Sequence, residues 1–227
     1  MEQLRSSNRA VDMSEPILAE DSTFSTIALS LRAVLEQLDE GVSHHDYLVA
    51  LLLVLSAESG FGISSVFDTP KWEQNTRLVR IPTNWKSQET GVYEIYLTLR
   101  NVNNVRSKLI AITHGDKLVL NILSCVGDKT IRSMVIQTLR YVNPYTSNWC
   151  LRYMNLKEIS HRFKDDLVTP LRANILLALN SMGPSLESLP IELHRKIADM
   201  LPPKDIVHFL LCSKRLYASI SKNYVDK

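Results

Sequence analysis

The stretch Val92–Cys125 reads V-Y-E-I-Y-L-T-L-R-N-V-N-N-V-R-S-K-L-I-A-I-T-H-G-D-K-L-V-L-N-I-L-S-C, and its period decides the fold class. Apolar and β-branched residues alternate with polar ones over Val92–Leu99, the pattern of a strand. Asn101 to Asn104 supply turn chemistry, Arg106–Thr113 a second strand, His114-Gly115-Asp116 a tight turn and Lys117–Cys125 a third strand. Gly127-Asp128 marks another turn, followed by a fourth strand, Thr130–Val142, expected to bend or split. Turns this short join antiparallel neighbours, so the segment is a meander. In the third strand Leu118, Leu120 and Ile122 face one way, Val119 and Leu123 the other. Both faces need cover, and helices of the same chain are the expected source.

Upstream the period is helical. Phe24, Ile27, Leu31, Leu35 and Leu38 recur every three or four residues until Gly41. Ser43 caps a second helix with Asp46 at N3, and its interior, Tyr47 to Leu55, is apolar nearly all round, which predicts burial on several sides. Gly60, Phe61 and Gly62 open a loop that runs to Trp85, punctuated by Pro70 and Pro82. After the sheet, Leu156, Ile159, Phe163, Leu167, Leu171, Ile175 and Leu179 form the stripe of a helix from Asn155 to Asn180, and Pro170 should kink or split it. The expected class is α+β: an antiparallel sheet of about four to five strands sandwiched by helices over residues 23–180. Residues 1–22 read as a flexible N-terminal tail, and residues 181–185 as a linker to a small all-α unit at 186–227.

In that last unit Leu193, Ile197 and Leu201 line one helical face, Pro190 suits the first turn, and Pro202-Pro203 stops the helix. Asp205 falls at the start of the next helix, and Ser213 can cap a third that carries Leu216 and Ile220. Helices this short are marginal alone. The unit should therefore lean on a partner, on its own chain, or on both; periodicity by itself fits a helical hairpin that finishes a domain core.

Composition narrows the function classes. The 227 residues carry 26 Lys+Arg against 24 Asp+Glu, a net charge of +2, which gives phosphate neutralisation little to work with and argues against nucleic acid as a partner. Three cysteines, Cys125, Cys150 and Cys212, have no paired spacing and read as reduced thiols. No apolar run reaches membrane-spanning length, and the first ten residues lack the apolar core of a signal peptide, so a cytoplasmic location is expected, with the nucleus also open.

Searching for chemistry returns little. His44-His45-Asp46 reads as a solvated first helical turn, because adjacent histidines diverge on a helix and no further ligand occurs downstream at metal spacing. His114 and His161 read as surface residues, Asp165-Asp166 beside Arg162 and Lys164 as a charged helix face, and Cys212 as a core thiol. Trp72 and Trp85 are expected to pack over the sheet. No nucleophile elbow, zinc-protease or phosphate-loop pattern occurs, so the sequence offers no catalytic residue, metal site or cofactor.

The run Leu189, Pro190, Ile191, Glu192 and Leu193, continued by Ile197, Leu201, Asp205-Ile206 and the Cys212–Arg215 region, resembles an F-box. The resemblance implies docking onto the Skp-type adaptor of a cullin-RING ubiquitin ligase. It implies that Leu189, Pro190, Leu193, Ile197, Leu201 and Ile206 bury against that adaptor, while Glu192 and Asp205 add polar contacts or caps. Much of residues 23–180 is in turn similar to the FP domain. The matching pieces are Glu58-Ser59-Gly60-Phe61, Pro82-x-x-Trp85-Lys86, Gly91-Val92-Tyr93, Leu118–Asn121, Ile131–Ser133 and Phe163–Leu171. That likeness implies pairing with other FP domains, including that of a proteasome regulator, as homodimer or heterodimer through a surface the sequence does not specify. The combined expectation is a non-catalytic substrate-receptor or adaptor subunit. The alternative is an FP-domain scaffold that regulates or localises proteasomes without recruiting a ligase.

Overall fold

The computed structural model describes residues 16–39, 41–64, 79–99, 102, 105–126, 131–179, 186, 189, 191–213 and 217. Trp72, the turn at Gly127-Asp128, the 181–185 linker, Pro190, Leu216 and Ile220 lie outside the described residues. The chain divides into two compact units, Met1–Ile175 and Leu176–Lys227.

The first unit is built around helix α2 (His44–Glu58), in which every residue from Leu48 to Leu55 is buried. It packs on α1 (Leu29–Leu35), on strand β1 (Phe61–Ser64) and on the 3-10 turns Ala19–Asp21 and Thr138–Arg140. The sheet adds β2 (Tyr93–Leu99), β3 (Arg106–His114), β4 (Lys117–Leu123) and β5 (Ile131–Gln137). Its spatial order is β1-β2-β3-β4-β5, with every neighbouring pair antiparallel. This is the expected α+β class with a meander.

Strand β1 departs from the sequence reading, which runs a loop from Gly60. Its four residues include Gly62, so no alternation shows, yet Phe61 pairs with Leu99 and Ser64 with Tyr96. Gly60, at φ +93, makes the reversal from α2 into the strand that only glycine adopts without strain.

Burial alternates along the sheet. Tyr93, Ile95 and Leu97 of β2, Leu109 and Ala111 of β3, Leu118, Leu120 and Ile122 of β4 and Met134 and Ile136 of β5 share the buried face. Tyr93 Oη donates to Asp46 of α2, which identifies this face as the helix-covered one. The cover expected over Val119 is not found among the described residues: its cross-strand neighbours Ile112 and Val135 are exposed, as is Ile131 opposite Leu123.

The β3–β4 connection is the two-residue turn Gly115-Asp116, closed by the pair His114–Lys117. Gly115, with φ +60, occupies the position where such hairpins need a left-handed residue. No atom would obstruct a Cβ there, so the Gly115→Ala change should cost only backbone strain, about 1 kcal/mol. A lowered denaturant midpoint at unchanged slope checks this.

Helix boundaries also move. The helix read from Phe24 begins only at Leu29, because the Thr23 hydroxyl captures the amides of Ser25 and Thr26 in a non-helical turn, leaving Phe24 exposed. Residues 16–22, read as part of a tail, include the fully buried Ala19. The long helix read after the sheet runs as α3 (Leu156–Phe163), a π-helical turn (Lys164–Val168) and α4 (Thr169–Ala178). The wider turn precedes Pro170, whose missing N–H and bulky ring disrupt the regular ladder. Ile159, Phe163, Leu167, Leu171 and Ile175 remain buried across the change of pitch.

The second unit contains α5 (Ile191–Met200) and α6 (Pro203–Leu211), with Pro203 at the first position of α6. Ala198, Phe209 and Leu210 form its buried cluster, and Ile197, Leu201 and Ile206 pack partly against them. No helix among the described residues is long and apolar enough to cross a membrane.

Candidate interaction surface

Two concentrations of polar side chains in the first unit could carry chemistry, and both turn out to anchor the fold. Contrary to the expected solvated turn, His45 and Asp46 are buried. Asp46 Oδ2 accepts from the Ser43 amide at 2.7 Å and the Ser43 hydroxyl at 2.6 Å, while Ser43 Oγ accepts the Asp46 amide at 3.3 Å. This is a full capping box. Asp46 Oδ1 accepts from Lys86 Nζ at 2.9 Å and Tyr93 Oη at 2.8 Å. Burial opposes the charged form of Asp46, yet the hydrogen bonds from Ser43, Lys86 and Tyr93 outweigh it and hold the carboxyl below its usual range. Trp85 packs edge-on against Tyr93 at 5.3 Å between ring centroids, as expected of a packing residue.

His45 joins the sheet to α2. Its Nε2 lies 2.9 Å from the Gly115 carbonyl, which can only accept, so Nε2 carries the proton. Nδ1 then accepts from the Thr138 hydroxyl at 2.8 Å. Burial and the neighbouring His45 ring lower the pKa of His44. Among the described residues no group of three or more His, Cys, Asp or Glu is arranged to hold a metal ion.

The second cluster ties the 3-10 turn Ala19–Asp21 to the helices. Glu20 accepts from Ser160 Oγ and from Lys164 Nζ, the latter at 2.8 Å, and Glu58 Oε1 accepts the Ala19 amide at 2.7 Å. Lys164 Nζ is also 3.8 Å from Glu58. Burial opposes ionisation of both carboxyls. Direct bonds from Lys164 and Ser160 win at Glu20 and lower it, whereas burial wins at Glu58 and raises it.

The second unit presents a surface of another kind. On α5 the inward face is His194, Ile197, Ala198 and Leu201, and on α6 it is Ile206, Phe209 and Leu210. Four large apolar residues point away from that cluster: Leu193 (45% exposed), Met200 (80%), Val207 (54%) and Leu211 (69%). Leu193 and Met200 stand two turns apart on α5, and Val207 and Leu211 one turn apart on α6, so each helix has a second apolar flank.

Of the residues expected at an adaptor interface, Leu189 and Asp205 are half-buried, Glu192 and Leu193 are exposed, and Ile197, Leu201 and Ile206 lean into the unit's own cluster. Met200, Val207 and Leu211 went unnoticed in the sequence, although the spacing Val207–Leu211 was there to read. Cys212, expected in the core, is exposed, with its thiol donating to the His208 carbonyl at 3.2 Å. It stands just after the last turn of α6, past the end of the buried face.

The sequence pattern of the F-box domain matches residues 186–227, a span that includes both α5 and α6. The chain carries an F-box domain. The chain is similar to F-box only protein 7 of Bos taurus, 25% identical over 200 residues, which cover 86% of the chain and 36% of that relative. It is 27% identical to F-box only protein 7 of Rattus norvegicus over 212 residues, 90% of the chain and 38% of the relative. Against the Homo sapiens protein it is 23% identical over 211 residues, 91% of the chain and 38% of the relative. The similarity therefore extends well beyond the F-box, and the chain spans little more than a third of the length of the curated relatives it matches.

Proposed function

We propose that this chain is a non-catalytic adaptor subunit of a cullin-RING ubiquitin ligase, binding a Skp-type adaptor through residues 186–227. The observation that carries the reading is the coincidence of the F-box match with a two-helix unit that leaves Leu193, Met200, Val207 and Leu211 outside its own cluster. Contiguous exposed apolar side chains on a small unit are what a partner covers. Leu189, Pro190, Ile197, Leu201 and Ile206 would support that surface or complete it, and Glu192 and Asp205 would supply polar contacts at its margin. The ligase's other subunits perform the chemistry, and this chain supplies proximity to a substrate.

In the same reading the first unit is an FP domain that pairs with a second FP domain, such as that of a proteasome regulator or of another copy. The relatives' similarity over 86–91% of the chain supports it. So does β5, an edge strand among the described residues, with Ile131 and Val135 exposed on the face of the sheet away from α2. Titration of the full chain with a purified Skp-type adaptor tests the first half, the expected result being saturable one-to-one binding. Absence of binding by a folded preparation sinks it.

A further inference from the structure

On the inward face of α5, Ile197, Ala198 and Leu201 are apolar and His194 is not, although it is 3% exposed. A buried imidazole must satisfy its ring N–H. His194 Nε2 meets the carbonyl of Leu186, eight residues earlier, and since a carbonyl only accepts, the imidazole donates. The same carbonyl accepts the Leu189 amide at 3.3 Å. The Leu186 carbonyl thus meets both the Leu189 amide and the His194 ring in the first half of α5.

We propose that His194 is a positioning residue for adaptor docking: its Nε2–H holds the Leu186 carbonyl, the acceptor of the Leu189 amide, against α5 and so sets the direction in which Leu189 is presented to the partner. The inference rests on the adaptor reading above. Its chemical requirement is narrow. A leucine at 194 fills much of the volume but returns no donor to Leu186, whereas a glutamine carries an amide N–H on a side chain of comparable reach.

The test compares the 227-residue chain with its His194→Leu and His194→Gln variants, each verified as helical by circular dichroism. Two quantities are measured: amide exchange at Leu189, and affinity for a purified Skp-type adaptor. Loss of one hydrogen bond in His194→Leu should speed Leu189 exchange about tenfold and weaken adaptor binding about fivefold. His194→Gln should bring both back to within about twofold of the parent. Unchanged Leu189 exchange in His194→Leu overturns the proposal whatever the adaptor does. Faster exchange with unaltered affinity also overturns the docking role. If the parent chain does not bind the adaptor at all, the adaptor reading falls and the docking role with it. The exchange data then still decide whether the tether exists, so the two failures are separable.

Discussion

Replacing Asp46 with alanine should destabilise the first unit by about 3–5 kcal/mol. Three losses combine. The capping box that starts α2 disappears, and α2 packs on α1, β1, both 3-10 turns and the π-helical turn. Tyr93 Oη, buried beneath the sheet, loses its acceptor. Lys86 loses its counter-charge at 2.9 Å, at smaller cost because it is one-third exposed and can reach water. For a unit of this size the melting temperature should drop by roughly 10 °C. The pH dependence has a defined sign. Because the folded-state pKa of Asp46 lies below its ordinary value, its contribution is present above that ordinary value and is lost as the pH falls through the lowered one. The Asp46→Asn variant keeps the shape and removes the charge. The stability gap between parent and Asp46→Asn should therefore narrow under acid, and thermal melts of both proteins from pH 7 downward measure it. A gap independent of pH contradicts the charged network.

The second large effect concerns binding rather than stability. The double change Val207→Asp with Leu211→Asp should weaken adaptor affinity at least about thirtyfold, since it places two carboxylates where apolar contact is required. Both side chains are more than half exposed in the free chain, so thermal stability should shift by less than about 0.5 kcal/mol per site. That separation is the diagnostic. Calorimetric titration and a thermal melt on the same preparation supply both numbers. If affinity is retained, the outward flank of α6 is not the contact surface and the partner uses another face.

How far the sequence carried these conclusions depended on the kind of order involved. Helix α2 was legible because a cap and an unbroken apolar run agreed, and β2 to β4 because each strand is long enough to show its period. β1 was not, since four residues that include Gly62 carry no alternation; its place is set by pairing with β2. The start of α1 was misplaced by a hydroxyl: apolar spacing from Phe24 fits a helix, but Thr23 offers the backbone a competing set of hydrogen bonds. His45 and Asp46 were read as solvated because first-turn polar residues usually are. Their burial comes from Gly115, Thr138, Lys86 and Tyr93, which lie 40 to 93 residues away. In the F-box unit periodicity put Leu193 on one face with Ile197 and Leu201, yet Leu193 is exposed while the other two reach the buried cluster. Phe209 and Leu210 set that cluster by closing on Ala198.

The tie between Glu20 and Lys164 has a consequence for local opening. Every strand of the sheet pairs only with its sequence neighbour, and from β2 to β5 each pairing closes a short loop, so that part of the meander is local. The Glu20–Lys164 bond spans 144 residues, a non-local tie that the local strand pairings do not supply. The Glu20→Ala variant is therefore expected to loosen residues 16–22 while the strand ladders stay intact, which amide exchange at Ala19 and along β2 to β5 would measure.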